Sequence, residues 1–183
     1  MAEPIETLTQ QLIRRATDPF GLAILTGMAS SSFWLFGSLG ISIDGAFPAI
    51  VTESERAKKG ISDASALKLW EWVFHRAKKH FAALALLSGA SYLVASAFRP
   101  DLRPILYGAS FLSFSALPYT LVTLMPINNE ILKIASDASK HDGKSPEPGL
   151  VDELFSEWSK YNSIRIGIAT VAWGLGTAAL LLA

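Results

Sequence analysis

The chain has 183 residues, half of them hydrophobic, with sixteen basic side chains balancing sixteen acidic ones and no cysteine. That length suits one compact unit, and a neutral chain without a basic, aromatic-interleaved face gives no reason to expect nucleic acid as a partner. Disulfides, thiolate nucleophiles, iron–sulfur clusters and cysteine-based zinc sites are excluded.

Residues 1–20 read as a short amphipathic helix, with Ile5, Leu8, Leu12 and Ile13 as its apolar residues and Asp18-Pro19 near its end. They lack the basic start and apolar run of a cleavable secretory peptide, so the first membrane helix is expected to direct insertion. Four long apolar stretches come next, at about 21–43, 81–98, 104–125 and 164–183. Each has about the length that a helix rising ~1.5 Å per residue needs to cross a ~30 Å hydrocarbon layer. The expected fold is all-α: a four-helix transmembrane bundle forming a single integral membrane domain over 1–183. A soluble helical bundle is the alternative. Against it, 81–98 and 164–183 contain no acidic residue and are apolar on every face.

The first span leaves through Pro48 into a polar loop predicted to hold a short amphipathic helix at Ser54–Leu69. In the third span, Pro118 removes one backbone hydrogen bond and is expected to open the turn before it, around Phe114–Ser115. A second long loop carries an amphipathic helix at Asn129–Ser139 and a flexible linker over 139–149. With four spans, both long loops lie on one membrane side. They hold seven and five of the Lys and Arg residues, against two at the N-terminus and two in the turn between the second and third spans. The positive-inside rule assigns the long-loop side to the cytosol.

A two-fold internal repeat is suggested by Glu71-Trp72 with Lys79 and by Glu157-Trp158 with Arg165, which share one offset of 86 residues. Small residues such as Gly27, Ser31, Gly108, Ser113 and Gly176 predict close helix packing, since lipid supplies no hydrophobic push between helices.

Polar and aromatic groups gather at the long-loop end of the spans. Arg165 lies just inside the fourth span. It either snorkels to the headgroups or serves as a fixed cation for an oxyanion. Asn162 is one helical turn earlier and Trp158 one more, so the three form a stripe. Of Asn128 and Asn129, one suits a helix N-cap and the other has no structural need. His75 and His80 are five residues apart, a poor spacing for two ligands, and no HxxxH or HExxH occurs. No metal site is expected. Either histidine could act as a general base, its pKa lying near neutrality.

Pro48-Ala49, the Trp72 element, PYTLVTLMPINNEIL (118–132) and EWSKYNSIR (157–165) resemble the DUF1772 membrane proteins, which include the fungal anthrone oxygenases. The likeness runs from about Gly21 to Gly176. The chain departs from it after Trp72, where Phe74, His75, Arg76 and Ala77 replace a Tyr-x-x-Gly-type step. The resemblance implies an oxidoreductase of polyketide secondary metabolism, a monooxygenase converting an anthrone to an anthraquinone. O2 would be co-substrate, with no bound metal or flavin. The substrate would be an apolar aromatic molecule arriving through membrane lipid. Arg165, Asn128, Asn129 and Asn162 would stabilise its enolate, and His75 or His80 would take the proton. Trp72, Tyr119 and Trp158 would stack on the rings, with Thr120 and Pro48 completing the binding wall. The alternative is a non-enzymatic scaffold, assembly factor or lipophilic-ligand binder. A transporter is disfavoured because no acidic residue lies mid-span.

Overall fold

The computed structural model describes residues 10, 17–140 and 146–183. Most of the amphipathic segment expected over 1–20, and the middle of the 139–149 linker with His141, lie outside the described residues.

Helix α1, Pro19–Leu39, starts where Asp18 caps it. The Asp18 carboxylate accepts the Gly21 N–H at 2.6 Å, and Pro19 occupies a first-turn position that needs no donor. A π turn at Gly40–Asp44 ends the span. Two short helices come after it, α2 at Phe47–Ile50 and α3 at Glu53–Lys58. Helix α4 is a single element of 36 residues, Asp63–Phe98, capped by Ser62. A 3-10 turn at Pro100–Leu102 leads into α5, Arg103–Tyr119. A π turn at Thr120–Leu124 joins α5 to α6, Met125–Lys140. Helix α7 spans Leu150–Leu181.

Four helices are long and apolar enough to cross a bilayer: Pro19–Ile50, Asp63–Phe98, Pro100–Ala138 and Leu150–Leu181. The described residues are therefore a four-helix membrane bundle, as the sequence predicts. Large apolar side chains face outward, with Phe33 and Phe111 each 71% and Val122 74% exposed. Lipid is the solvent that tolerates such a surface.

The long loops differ from the expectation. At ~1.5 Å per residue, α4 is about 54 Å long and extends well past a ~30 Å hydrocarbon layer. The loop helix at Ser54–Leu69 and the span at 81–98 thus resolve into α3 and one uninterrupted α4. No proline stands between Asp63 and Phe98, so nothing breaks the helix on leaving the membrane. Helices α6 and α7 likewise continue from the third and into the fourth span. Together with α2 and α3 these extensions build a polar head.

Three layers of buried side chains fill the molecule. Ile24, Tyr92, Leu106 and Ala179 pack at the end far from the head. Trp34, Leu35, Ala85, Ala116 and Ala169 pack mid-bundle. Phe47, Leu67, Trp70, Ile131 and Phe155 pack in the head. Arg56, 3% exposed, latches the head. Its guanidinium reaches Asp63 at 2.9 Å, Asp152 at 2.7 Å and the Ile50 carbonyl at 2.9 Å. One cation thereby joins α2, α3, α4 and α7.

The two Glu-Trp pairs do not occupy equivalent places. Trp72 is 55% exposed, whereas Trp158 packs against the head core. An offset of 86 residues pairs an outward face of α4 with an inward face of α7.

Candidate functional site

A cavity of about 410 Å³ lies between the mid-bundle layer and the head core. Trp34, Ala85 and Ala116 wall it from below, and Phe47, Ile50 and Trp70 from above. The walls are mostly apolar and aromatic, and the volume falls within the ~300–1,000 Å³ of small-molecule sites.

Two π turns shape it. Each inserts a residue into the helix, which rotates every later side chain about the axis by about 100°. The first places Ile41 and Ser42 on the lining. The second comes after Pro118, where Thr120 and Leu121 line the cavity. The irregularity falls after the proline, not at Phe114–Ser115 as expected. Thr120 and Thr123 return their hydroxyls to the carbonyls of Ala116 and Tyr119, at 2.7 and 2.6 Å.

Beyond that turn Asn128 sits inside a continuous helix, so it caps nothing. It is 3% exposed and lines the cavity. Its Oδ1 accepts the Trp158 indole N–H at 3.0 Å, and its Nδ2 has only the Met125 sulfur, at 3.7 Å. Asn162, also 3% exposed, donates from Nδ2 to Ser42 Oγ at 3.0 Å. Its Oδ1 accepts from Arg165 Nη2 at 2.6 Å. Arg165 also lies over the Phe81 ring, 6.0 Å from its centroid. Asn162 thus uses both ends of its amide to hold Arg165 to the exit of α1.

Two buried polar atoms, Arg165 Nε and Ser38 Oγ, have no hydrogen-bond partner among the described residues, and both residues line this cavity. A third such atom, Asp152 Oδ1, lies 2.7 Å from the Arg56 guanidinium, which satisfies its charge. Unpaired polar atoms are costly in a dry interior, and this pair shares one empty space.

The aromatic wall is continuous. Trp70 stacks on Phe74 with centroids 5.0 Å apart and meets Trp158 edge-on at 6.1 Å. Phe47 lies 4.5 Å from Trp158.

The structure therefore brings together Arg165, Asn128, Asn162, Trp158 and Thr120. It does not bring in the other expected residues. Trp72 points outward under Arg76, whose guanidinium lies 4.7 Å from its ring. The His75 side chain is half exposed, its Nε2 3.7 Å from Glu71 on the same helix face. His80 is exposed as well. Asn129 is exposed, unlike its buried neighbour Asn128. Tyr119 turns its hydroxyl to the Tyr161 carbonyl at 3.0 Å. Pro48 sits in the first turn of α2, and its neighbour Phe47 lines the cavity instead.

Sequence reasoning missed Trp70, Phe74, Phe81, Trp34 and Ser38. The signal for α4 was present, since Ala66, Leu67, Trp70, Phe74, Ala77 and Phe81 recur at helical spacing. Lys68, Trp72 and Arg76 mark another face.

Residues 70–175, more than half of the chain, match the family model described as anthrone oxygenase. The protein belongs to the anthrone oxygenase family. No curated protein and no solved structure matches it. The family segment supplies Trp70, Asn128, Trp158, Asn162 and Arg165. Trp34, Ser38, Ser42, Phe47 and Ile50 lie before it and complete the same cavity.

Proposed function

We propose that this protein is a membrane-embedded oxygenase that converts an anthrone-type tricyclic ketone to the quinone with O2, in the secondary metabolism of a polyketide. The observation that carries the reading is the cavity of an anthrone oxygenase family member, an aromatic-walled space bordered by Arg165 and Ser38, each with a buried polar atom that has no partner among the described residues. A flat tricyclic ketone fits such walls by stacking.

The chemistry balances without a further reductant. The CH2 carbon opposite the carbonyl loses a proton, and the resulting enolate gives electrons to O2 as a C–O bond forms. Protonation yields a hydroperoxide on that carbon. Loss of water then breaks the O–O bond and leaves C=O. One O2 accepts all four electrons, with one oxygen in the quinone and one in water. No resident cofactor is needed, and the lining, with no histidine, carboxylate or thiol among the described residues, suits that reading better than a metal.

The residues divide the work by geometry. Arg165 and Ser38 donate to the enolate oxygen, where fixed donors in a water-poor site act most strongly. Asn128 offers its free amide N–H. Asn162 positions Arg165. Among the described residues the lining holds no histidine or carboxylate to receive the proton, so the site acts by lowering the energy of the enolate and the proton leaves to water at the cavity's open edge. That same lack is the one observation favouring a lipophilic-ligand binder as the second reading.

Membranes containing the protein, incubated with emodin anthrone under O2 and under argon, separate the two. Quinone absorbance rising above the spontaneous rate only with protein and O2 supports the oxygenase. No increment over background rejects it. The excess of Lys and Arg in the head supports placing it on the cytosolic side, which labelling of single introduced cysteines by an impermeant reagent tests.

A further inference from the structure

The oxidation leaves the charged rim of the cavity unused. Lys78 and Lys79 of α4 line the cavity. Lys78 Nζ lies 5.1 Å from the centroid of Phe74, another lining ring. Neither lysine has an ion pair among the described residues. Elsewhere Arg56, Lys58, Lys59 and Arg99 each meet a carboxylate at 2.7–2.9 Å.

No aspartate or glutamate lines the cavity among the described residues. With Arg165, three cations face one mostly apolar space. Lys78 and Lys79 are exposed, at the open edge of the cavity, and their like charges add to the field of Arg165 in a positive potential that an entering anion lowers. Leu121, 65% exposed, shares the lining. The cavity therefore opens toward the lipid-facing surface, from which a guest in the leaflet enters.

We propose that the substrate is an acidic aromatic amphiphile whose anionic oxygen substituent, a carboxylate in the simplest case, is held at the mouth by Lys78 and Lys79. This rests on the reading of the cavity as the substrate site. The carboxylate would sit in the headgroup zone, and the ketone would point inward to Arg165. An anionic lipid headgroup presents the same kind of oxygen, and the test separates the two.

The protein is placed in nanodiscs of phosphatidylcholine. Binding of anthraquinone-2-carboxylate and of its neutral carboxamide is read from tryptophan fluorescence. This readout involves no turnover, so it stands or falls apart from the oxygenase reading. The carboxylate is expected to bind at least about tenfold more tightly, as a charge-assisted contact gives. In the Lys78→Met/Lys79→Met double variant the ratio should fall to within about twofold of unity, while Lys78→Arg/Lys79→Arg keeps the preference because the charge is retained. The ratio is internal to each variant, so a partly unfolded fraction affects both ligands alike. Equal affinities in the unaltered protein would overturn the proposal, as would a preference that survives the methionine pair. Loss of the preference when phosphatidylglycerol replaces phosphatidylcholine, at a salt concentration that screens the bilayer's surface charge, would also overturn it, by assigning the lysines to an anionic lipid headgroup.

Discussion

Trp158 shows how one buried group orders another. Its indole N–H is the partner of Asn128 Oδ1, at 3.0 Å across 30 residues of sequence. Trp158→Phe keeps most of the ring but strands that oxygen, a change worth about 1–3 kcal/mol. The expected result is a lower unfolding temperature together with slower anthrone oxidation. Trp72→Ala removes an equally large ring from an outward face, so anthrone turnover should stay within about twofold, since substitutions away from buried contacts cost little. Arg165→Met removes the cation and its free N–H. Steady-state quinone formation should fall by on the order of 10²–10³, the size seen when one fixed oxyanion donor is lost. Activity retained by the methionine variant would reject that role.

Among the elements, α1, α4 and α7 approach one another around one ring. Tyr92 is fully buried, and its hydroxyl bonds Ser31 Oγ of α1 at 2.8 Å. A Cβ at Gly27 would come within 2.8 Å of this ring, and one at Gly176 would overlap its Cζ and hydroxyl. Glycine is needed at both because the helices must close on an aromatic plane. Gly176→Ala should cost about 1–3 kcal/mol through overpacking. Gly174→Ala, with nothing within 4 Å of its added carbon, should be neutral or slightly stabilising given the ~1 kcal/mol helix preference for alanine. Thermal unfolding in detergent compares them. In α3, Lys58 and Lys59 hold the Glu55 carboxyl down from 4.5 to about 2 by hydrogen bonding and charge. A depressed carboxyl stabilises the fold above its unfolded pKa, and that contribution fades as pH falls through the folded one. The stability difference between the unaltered protein and Glu55→Gln should therefore be constant above pH 4.5, shrink below it and vanish under about pH 2.

For the molecule as a whole, the head and the bundle are one object because the same helices run through both. The cavity lies at their junction, so its roof depends on the Arg56 latch. Arg56→Met leaves Asp63 and Asp152 without their shared cation, a loss of about 3 kcal/mol for a buried charge network. The lipid-embedded layers do not touch Arg56. The expected outcome is a biphasic transition, in which emission from Trp70 and Trp158 shifts before far-ultraviolet helicity falls. A single coincident transition would show that head and bundle unfold together.

The spans were legible in the sequence because a bilayer imposes a local requirement: about twenty successive apolar residues whose backbone bonds close within the segment. The four apolar runs satisfy it without reference to any neighbour, and the family motifs at 118–132 and 157–165 lie in the segment that positions Asn128 and Arg165. Facing directions were another matter. A π turn shifts the register of everything after it, which is why Asn128 turned inward and Asn129 outward. The continuous α4 set Trp70, not Trp72, against the cavity. Contacts such as Asn162 with Ser42, 120 residues apart, exist only once four helices pack. Lipid selects segments one at a time, whereas a pocket is made by several helix faces at once, so tertiary structure alone decided which side chains share it.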